Sequence, residues 1–121
     1  MRPSSAKPFA SFTDVGADRI TARALLDRIE SGAAPVILDV RSRVEFASGH
    51  VPGARHIPFW RVSPRIDLFS IPRHAELVVY CGHGPRAHVA GRALRRKGFT
   101  RITYLEGHFS GWRGAGFREE K

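Results

Sequence analysis

Cysteine is almost absent from this chain of 121 residues, which has Cys81 as its single example. One cysteine cannot form an internal disulfide, so oxidation contributes nothing to the fold. It also argues against a zinc finger or zinc ribbon, because these sites need several cysteine ligands. Since the six histidines show no metal-ligand spacing either, the sequence predicts no bound metal and no cofactor.

Long apolar runs are missing as well. No hydrophobic stretch approaches the roughly 20 residues that a membrane-spanning helix needs. The first residues also lack the apolar run of a signal peptide. We therefore expect no membrane partner and, by default, a cytoplasmic location. The length and the hydrophobic fraction of 42% suit one domain with a sizeable core.

Positive charge, by contrast, is abundant. The net charge is +9 and nearly all of it comes from arginine, because only Lys7, Lys97 and Lys121 are lysines. One interpretation is attraction to a small oxyanion, an acidic protein or nucleic acid. The other is a solvated basic surface without a specific partner. The arginines are dispersed along the sequence, which favours the second interpretation and predicts no nucleic-acid partner.

Strand and helix patterns alternate along the chain. Apolar, β-branched runs predict strands at residues 19–20, 36–40, 55–57, 77–80 and 102–105. Helices are expected at about 21–31, 43–47, 87–97 and 107–112, with short helical pieces at 60–69, where Pro64 interrupts the pattern. This alternation predicts an α/β fold with a mainly parallel sheet over residues 18–117. Residues 1–17 are expected to form a loosely attached arm, and residues 118–121 a tail.

Cys81 lies at the junction between the strand at 77–80 and the helix that follows. The residues between it and Arg86 are Gly82, His83, Gly84 and Pro85. At such a junction, amides of the loop and of the helix start point inward and stabilise an anion, which favours a thiolate. The glycines let the backbone curl around the sulfur, and Arg86 adds a fixed positive charge. The pattern therefore predicts a cysteine nucleophile in an anion-binding cradle.

A second strand end brings charged residues to the same edge of the sheet. Arg41 follows the strand at 36–40, and open parallel sheets bind ligands beyond the carboxyl ends of their strands. Two interpretations stay open for Arg41 and Asp39. They contact the substrate directly, or they form an ion-pair network around the crevice, with Glu45 as a further candidate member.

Several separated segments together resemble a single-domain rhodanese. These segments occur in the order of that family and cover about residues 19–117. The first group is Leu38-Asp39-Val40-Arg41, Glu45-Phe46, Gly49-His50-Val51-Pro52-Gly53-Ala54 and Ile57-Pro58. The second group is Val78-Val79-Tyr80-Cys81 with the loop to Arg86, then Leu94, Gly98-Phe99, Leu105-Glu106-Gly107 and Trp112. The resemblance implies a rhodanese-like three-layer fold, in which helices flank a mainly parallel central sheet on both faces.

The resemblance implies a sulfurtransferase of the thiosulfate type. In the family, the residue matching Cys81 attacks a sulfane sulfur donor such as thiosulfate and becomes a persulfide. It then passes the outer sulfur to a nucleophile such as cyanide or a thiol, with an acceptor protein as a further option. The active-site loop from Gly82 to Ala87, together with Arg41, would bind the small anionic donor.

Loop length separates this activity from related ones. Four residues lie between Cys81 and Arg86. Phosphatases and arsenate reductases that use a cysteine typically have one residue more, because their cradle accommodates a tetrahedral oxyanion. The shorter ring is similar to that of the sulfur-handling members, and it predicts negligible phosphatase activity.

Three positions depart from the family pattern. Ala87 stands where members with strong thiosulfate activity commonly have Ser or Thr, and Pro85 has no N–H to offer. These two departures favour an alternative function, a non-catalytic or regulatory module that binds a protein partner. In addition, Gly107-His108 replaces the more usual paired glycines, where we expect only a local backbone adjustment.

The remaining candidate residues have less specific signals. His50 is expected to satisfy backbone groups in its turn. His83 either contacts an anionic donor or fills a variable loop position. Trp112 is expected in the core.

Overall fold

The computed structural model describes residues 18–121, and within them strands alternate with helices as predicted. The five strands are β1 (Asp18–Ile20), β2 (Val36–Asp39), β3 (Arg55–His56), β4 (Leu77–Tyr80) and β5 (Ile102–Leu105). The α-helices are α1 (Ala22–Glu30), α2 (Arg43–Ser48), α3 (Val62–Arg65), α4 (Pro85–Arg96) and α5 (His108–Gly114). Short 3-10 segments at Phe59–Arg61 and Ile66–Phe69 flank α3, which confirms the short helical pieces predicted there.

All strand pairs in the sheet are parallel, and the order is β1-β5-β4-β2-β3. The predicted parallel α/β fold is therefore confirmed. The central strand β4 is buried along its whole length, because helices cover the sheet on both faces. The carboxyl ends of β2 and β4 are neighbours, which places the residues after Asp39 and after Tyr80 at one edge.

The side chains of β4 alternate between two hydrophobic layers. Leu77 and Val79 pack with residues of α3 and α4 on one face. Val78 and Tyr80 pack with residues of α1 and α5 on the other, where Trp112 is fully buried as expected. Each fully buried large apolar side chain contributes about 1.5–3 kcal/mol. The two layers hold β4, and the loop that follows it, between two sets of helices.

Helix α4 begins two residues before the predicted start, at Pro85 rather than Ala87. Proline fits the first position of a helix, because its missing N–H would have had no partner within the helix. The loop after Cys81 therefore consists of Gly82, His83 and Gly84 alone. Arg86 belongs to the first turn of the helix.

The last residues of the chain lie against the body of the domain. Glu120 exchanges two backbone hydrogen bonds with His50, and its carboxylate accepts the Gly53 N–H at 2.8 Å. Arg118 accepts the indole N–H of Trp112 through its carbonyl oxygen. The division of the chain into an arm, a domain and a tail stays a prediction, and the arm at residues 1–17 lies outside the described residues.

Candidate active site

The Cys81 sulfur lies at the start of a cradle formed by backbone. Cys81 is fully buried directly after β4, and its Sγ accepts a hydrogen bond from the Gly84 N–H at 3.0 Å. Gly84 has a φ of 132°, a conformation that side-chain-bearing residues rarely adopt. The loop can therefore fold back on the sulfur because Gly84 is a glycine. The N-terminus of the twelve-residue helix α4 adds its positive dipole end at this place.

The N-terminus of α5 fixes the other side of the loop. The Phe109 N–H donates to the Cys81 carbonyl at 2.9 Å, and the Ser110 N–H donates to the Gly82 carbonyl at 3.1 Å. The carbonyls of the loop are thus turned toward α5. This leaves the Gly84 amide to face the sulfur, as an anion-stabilising cradle requires.

Arg86 is held in a two-point ion pair with Glu45. Its Nη1 and Nη2 donate to the two carboxylate oxygens at 2.7 and 3.1 Å. The same guanidinium lies against the loop, since a Cβ added to Gly82 would be 3.2 Å from Nη2. Hydrogen bonding to Glu45 raises the pKa of Arg86, and the nearby Cys81 sulfur adds to this effect. The cradle therefore has a permanent positive charge at its edge.

Glu45 is itself fixed by the start of α2. The Ser42 side chain accepts the Glu45 N–H, and the Glu45 carboxylate accepts the Ser42 N–H at 2.9 Å, which is a capping box. The hydrogen bonds from Arg86 lower the pKa of Glu45 to about 2. The carboxylate is therefore ionised at neutral pH. Glu45 pairs with Arg86 across the crevice and not with Arg41.

Arg41 and Asp39 form a buried pair beneath the site. The Asp39 carboxylate accepts hydrogen bonds from the Arg41 backbone N–H, Nε and Nη2, the last at 2.7 Å. Arg41 Nη2 also donates to the Gly49 carbonyl, and its guanidinium lies 4.2 Å from the centre of the Phe109 ring. Arg41 is only 4% exposed. These contacts correspond to the ion-pair interpretation, in which Arg41 is buried against Asp39.

His50 and His83 occupy different environments. His50 is stacked on Phe46, and its Nδ1 is 2.9 Å from the Phe46 carbonyl oxygen, so it serves the turn in which it lies. His83 is exposed at the tip of the loop. It borders a surface cavity of about 410 Å³ whose wall also includes Arg19, His88 and Glu106.

Ala87 is fully buried and packs in the same hydrophobic layer as Cys81. Pro85 is exposed at the first position of α4. A serine or threonine hydroxyl at residue 87 would therefore lie in the buried layer that contains Cys81. The N–H that Pro85 lacks would instead lie at the exposed start of α4.

Sequence reasoning did not identify His108, the first residue of α5. This histidine is 9% exposed, and its Nδ1 lies 3.3 Å from the backbone nitrogen of Cys81. Its φ of 53° is in the left-handed region. Burial, followed by the positive charges of His88, Arg19 and His83, lowers the pKa of His108 to about 4. The signal in the sequence is a histidine in place of the second glycine, where the pattern predicts only a local backbone adjustment.

Residues 18–121 contain neither a candidate metal site nor a candidate membrane-spanning helix. No group of three or more histidine, cysteine, aspartate or glutamate side chains in this part of the chain is arranged to hold a metal ion. None of its helices has the length and apolar character needed to cross a membrane.

The fold and this loop define a recognised class of domain. A family model for the rhodanese-like domain matches residues 21–115. The chain therefore belongs to the rhodanese-like family, as the ordered motifs indicated.

Several relatives carry names from sulfur metabolism. The chain is 33% identical over 93 residues to the probable adenylyltransferase/sulfurtransferase MoeZ of Mycobacterium tuberculosis, covering 77% of this chain but 24% of MoeZ. It is 32% identical over 84 residues to the thiosulfate sulfurtransferase GlpE of Pseudomonas fluorescens, covering 69% and 73% of the two chains. The structure of the human single-domain sulfurtransferase TSTD1 superimposes with a TM-score of 0.70 at 29% identity, covering 82% of this chain and 97% of the other.

Proposed function

We propose that this protein is a sulfurtransferase that carries sulfur as a persulfide on Cys81. The observation that carries the proposal is the contact between the Gly84 N–H and the Cys81 sulfur, at the N-terminus of α4 and beside Arg86. This arrangement stabilises negative charge on the cysteine sulfur before the reaction and on the outer sulfur of a persulfide after it. Relatives named as sulfurtransferases support the same reaction class.

The proposed reaction has two balanced steps. The Cys81 thiolate attacks the sulfane sulfur of thiosulfate, a new S–S bond forms, and the original S–S bond breaks as sulfite leaves with the electron pair. A nucleophile such as cyanide or a thiolate then attacks the outer sulfur, and the Cys81 thiolate is the leaving group. This covalent intermediate divides one transfer into two easier steps. Gly82, His83, Gly84 and Arg86 form the proposed donor-binding loop, with Glu45 holding Arg86.

The other residues have supporting roles in this proposal. Asp39 and Arg41 hold the turn at Gly49 against the end of β2, and His50 holds the turn that follows α2. None of the three would contact the donor. No metal or cofactor takes part in either step.

Intact-mass spectrometry tests this function. Incubation with thiosulfate is expected to add one sulfur atom to the protein, and later addition of cyanide is expected to remove it. A Cys81→Ala protein should gain no sulfur. An adduct that forms equally in Cys81→Ala would place the chemistry elsewhere and overturn the proposal.

Two observations favour the alternative, a non-catalytic module that binds a protein partner. The buried helix start offers an alanine at residue 87 where a hydroxyl would serve the sulfur, and Pro85 has no N–H. The same experiment separates the two functions. If thiosulfate and inorganic polysulfide both leave the mass unchanged, while iodoacetamide still alkylates Cys81, the binding module is the better account.

A further inference from the structure

His108 touches both ends of the contact on which the cradle depends. On one side, the Cys81 N–H donates to its Nδ1. On the other side, the imidazole lies against the α-carbon of Gly84, because a Cβ placed there would be 3.4 Å from Nε2. Gly84 in turn donates to the Cys81 sulfur. One side chain thus contacts the residue that carries the sulfur and the residue that supplies its hydrogen bond.

These contacts determine the protonation state of the imidazole. A ring nitrogen that accepts a hydrogen bond carries no proton, so the proton of neutral His108 must be on Nε2. Burial opposes a second proton on His108 and lowers its pKa, and the electrostatic influence of His88, Arg19 and His83 adds to this effect. Glu106 is a carboxylate on the wall of the neighbouring cavity, and it does not reverse this lowering of the His108 pKa. His108 is therefore a neutral acceptor near pH 7.

The backbone at this position would suit a glycine better. His108 has a left-handed φ of 53°, and the preceding Gly107 has a φ of 78°. A left-handed backbone conformation is unfavourable for most residues that have a side chain, whereas glycine, asparagine and aspartate adopt it more readily. A histidine that is kept in this conformation needs a compensating contact, and the buried Cys81 N–H supplies one, because such a donor is costly when unpaired.

We propose that His108 is a positioning residue for the sulfur cradle. The neutral imidazole accepts the Cys81 N–H and packs against Gly84. It thereby fixes the position of the Cys81 sulfur relative to the Gly84 N–H that donates to it. The inference deepens the proposed sulfurtransferase function and rests on it only for its kinetic part. It assigns a function to the side chain that occupies the place of a glycine in the family pattern.

Two substitutions at this position separate positioning from folding. His108→Gly removes the imidazole and relieves the left-handed backbone, and this relief offsets part of the cost of leaving the buried Cys81 N–H without its acceptor, so the variant should still fold. His108→Asn also tolerates that backbone, and its carboxamide oxygen can take the place of Nδ1 as the acceptor. His74→Asn is the matched control, since His74 is exposed in the turn before β4.

Hydrogen exchange and nitrogen NMR test the contacts without any need for activity. In the wild-type protein, the His108 ring is expected as the Nε2–H tautomer, and the Cys81 and Gly84 amides are expected to be protected. Both amides should exchange about tenfold faster or more in His108→Gly, as local opening becomes easier. His108→Asn should restore the protection, and His74→Asn should change nothing. Unchanged protection in His108→Gly, or an Nδ1–H tautomer in the wild type, would overturn the inference.

Sulfur uptake from thiosulfate supplies the kinetic test. The rate should fall about tenfold in His108→Gly, because small displacements of reacting groups reduce rates by up to about a hundredfold. It should recover in His108→Asn. A normal rate in His108→Gly would contradict a positioning function even if the amide protection had changed. If the wild type takes up no sulfur while the exchange results are as expected, the proposed sulfur transfer is wrong, but the contacts of His108 with Cys81 and Gly84 are supported.

Discussion

At the scale of single residues, the charged side chains of the site form two ion pairs close to the Cys81 sulfur. The Glu45 carboxylate forms an ion pair with Arg86, and the Asp39 carboxylate forms an ion pair with Arg41. The Cys81 sulfur accepts the Gly84 N–H, and the Arg86 guanidinium lies nearby. An anionic sulfur at this place, in a thiolate or a persulfide, would have the Gly84 amide and the Arg86 cation opposite its charge.

The pH dependence of stability is the first prediction, and it belongs to His108. Its pKa of about 4 in the folded state is below the ordinary histidine value of 6.5. Between these values the unfolded chain binds a proton that the folded protein does not. Stability therefore falls as the pH decreases from about 6.5 to about 4, by roughly 3 kcal/mol at most from this residue. Urea unfolding of the wild type from pH 7 to pH 4 measures the slope.

A difference between variants isolates this residue from other titrating groups. His108→Asn has no proton to gain, so its stability should fall less than that of the wild type over the same pH range. His74→Asn should follow the wild-type curve, because His74 is exposed. Parallel curves for the wild type and His108→Asn would show that the buried imidazole is not responsible.

Ala87→Ser is predicted to raise the rate of sulfur uptake from thiosulfate. Ala87 is fully buried in the same layer as Cys81, so we expect a hydroxyl placed there to lie within reach of the sulfur. A hydrogen bond to a charged group is worth about 1.5–3 kcal/mol, and only the part gained in the transition state increases the rate. We expect a gain of several-fold. Steady-state rates with thiosulfate and cyanide, on protein checked by circular dichroism, decide the matter. No change or a loss would shift the explanation to Pro85 or to a donor other than thiosulfate.

At the scale of elements, the sequence was sufficient for the order and type of strands and helices. The buried run at β4 and the turn residues on either side of it carry that information locally. The sequence pattern predicts the start of α4 two residues too late, at Ala87. It assigns Pro85 to the loop, although proline fits the first position of a helix.

The contacts between elements were harder to predict. Whether Arg41 faces the substrate or Asp39 depends on side-chain directions at the end of β2, which no spacing rule fixes. The contact of His108 with Cys81 joins residues 27 apart in sequence. It depends on a left-handed backbone at a non-glycine residue, which a sequence pattern does not indicate. Both contacts lie in the site, where tertiary packing overrides local preference.

The packing of α4 on β5 gives a prediction at this scale. Gly91 of α4 lies directly over the Tyr104 side chain, and a Cβ at Gly91 would overlap the Tyr104 hydroxyl and lie 2.9 Å from Cζ. Tyr104 is 2% exposed, so its rigid ring has little room to move. Gly91→Ala should therefore destabilise the protein by about 1–3 kcal/mol, despite the higher helix propensity of alanine. Chemical denaturation measures the change.

A second helical glycine provides the control. At Gly114, the last residue of α5, an added Cβ meets nothing within 4 Å in the described part of the chain. Gly114→Ala should be neutral or stabilising by about 0.4–1 kcal/mol. Removal of the hydroxyl in Gly91→Ala/Tyr104→Phe should recover part of the loss. Equal effects of alanine at the two glycines would contradict the close approach of α4 to Tyr104.

At the scale of the whole molecule, the excess of positive charge is divided between internal pairs and open surface. Five arginines pair with carboxylates at 2.6–2.9 Å: Arg28, Arg41, Arg73, Arg86 and Arg113. Others, including Arg43, Arg61 and Arg65, have no carboxylate partner within residues 18–121. These three border a groove of about 380 Å³ that also includes the exposed Trp60 and Leu68. The net charge of +9 is therefore carried largely at the surface, where it produces a positive electrostatic field.

This field leads to a prediction about salt. Thiosulfate is a dianion, so a protein of charge +9 should attract it at low ionic strength. Between 0.01 M and 0.15 M salt the screening length decreases from about 30 Å to about 8 Å. The second-order rate of sulfur uptake should fall several-fold over this range.

Neutral iodoacetamide distinguishes attraction from a change in the site itself. It alkylates the same Cys81 sulfur but carries no charge, so its rate should stay nearly constant over the same salt range. If both rates fall together, salt acts on the cradle and not on the approach of the donor. If neither rate changes, the dispersed arginines are a solvated surface without influence on the reaction, and the charge excess plays no part in donor binding. A fall in the thiosulfate rate alone would show that the basic surface contributes to function by concentrating an anionic donor near the carboxyl ends of β2 and β4.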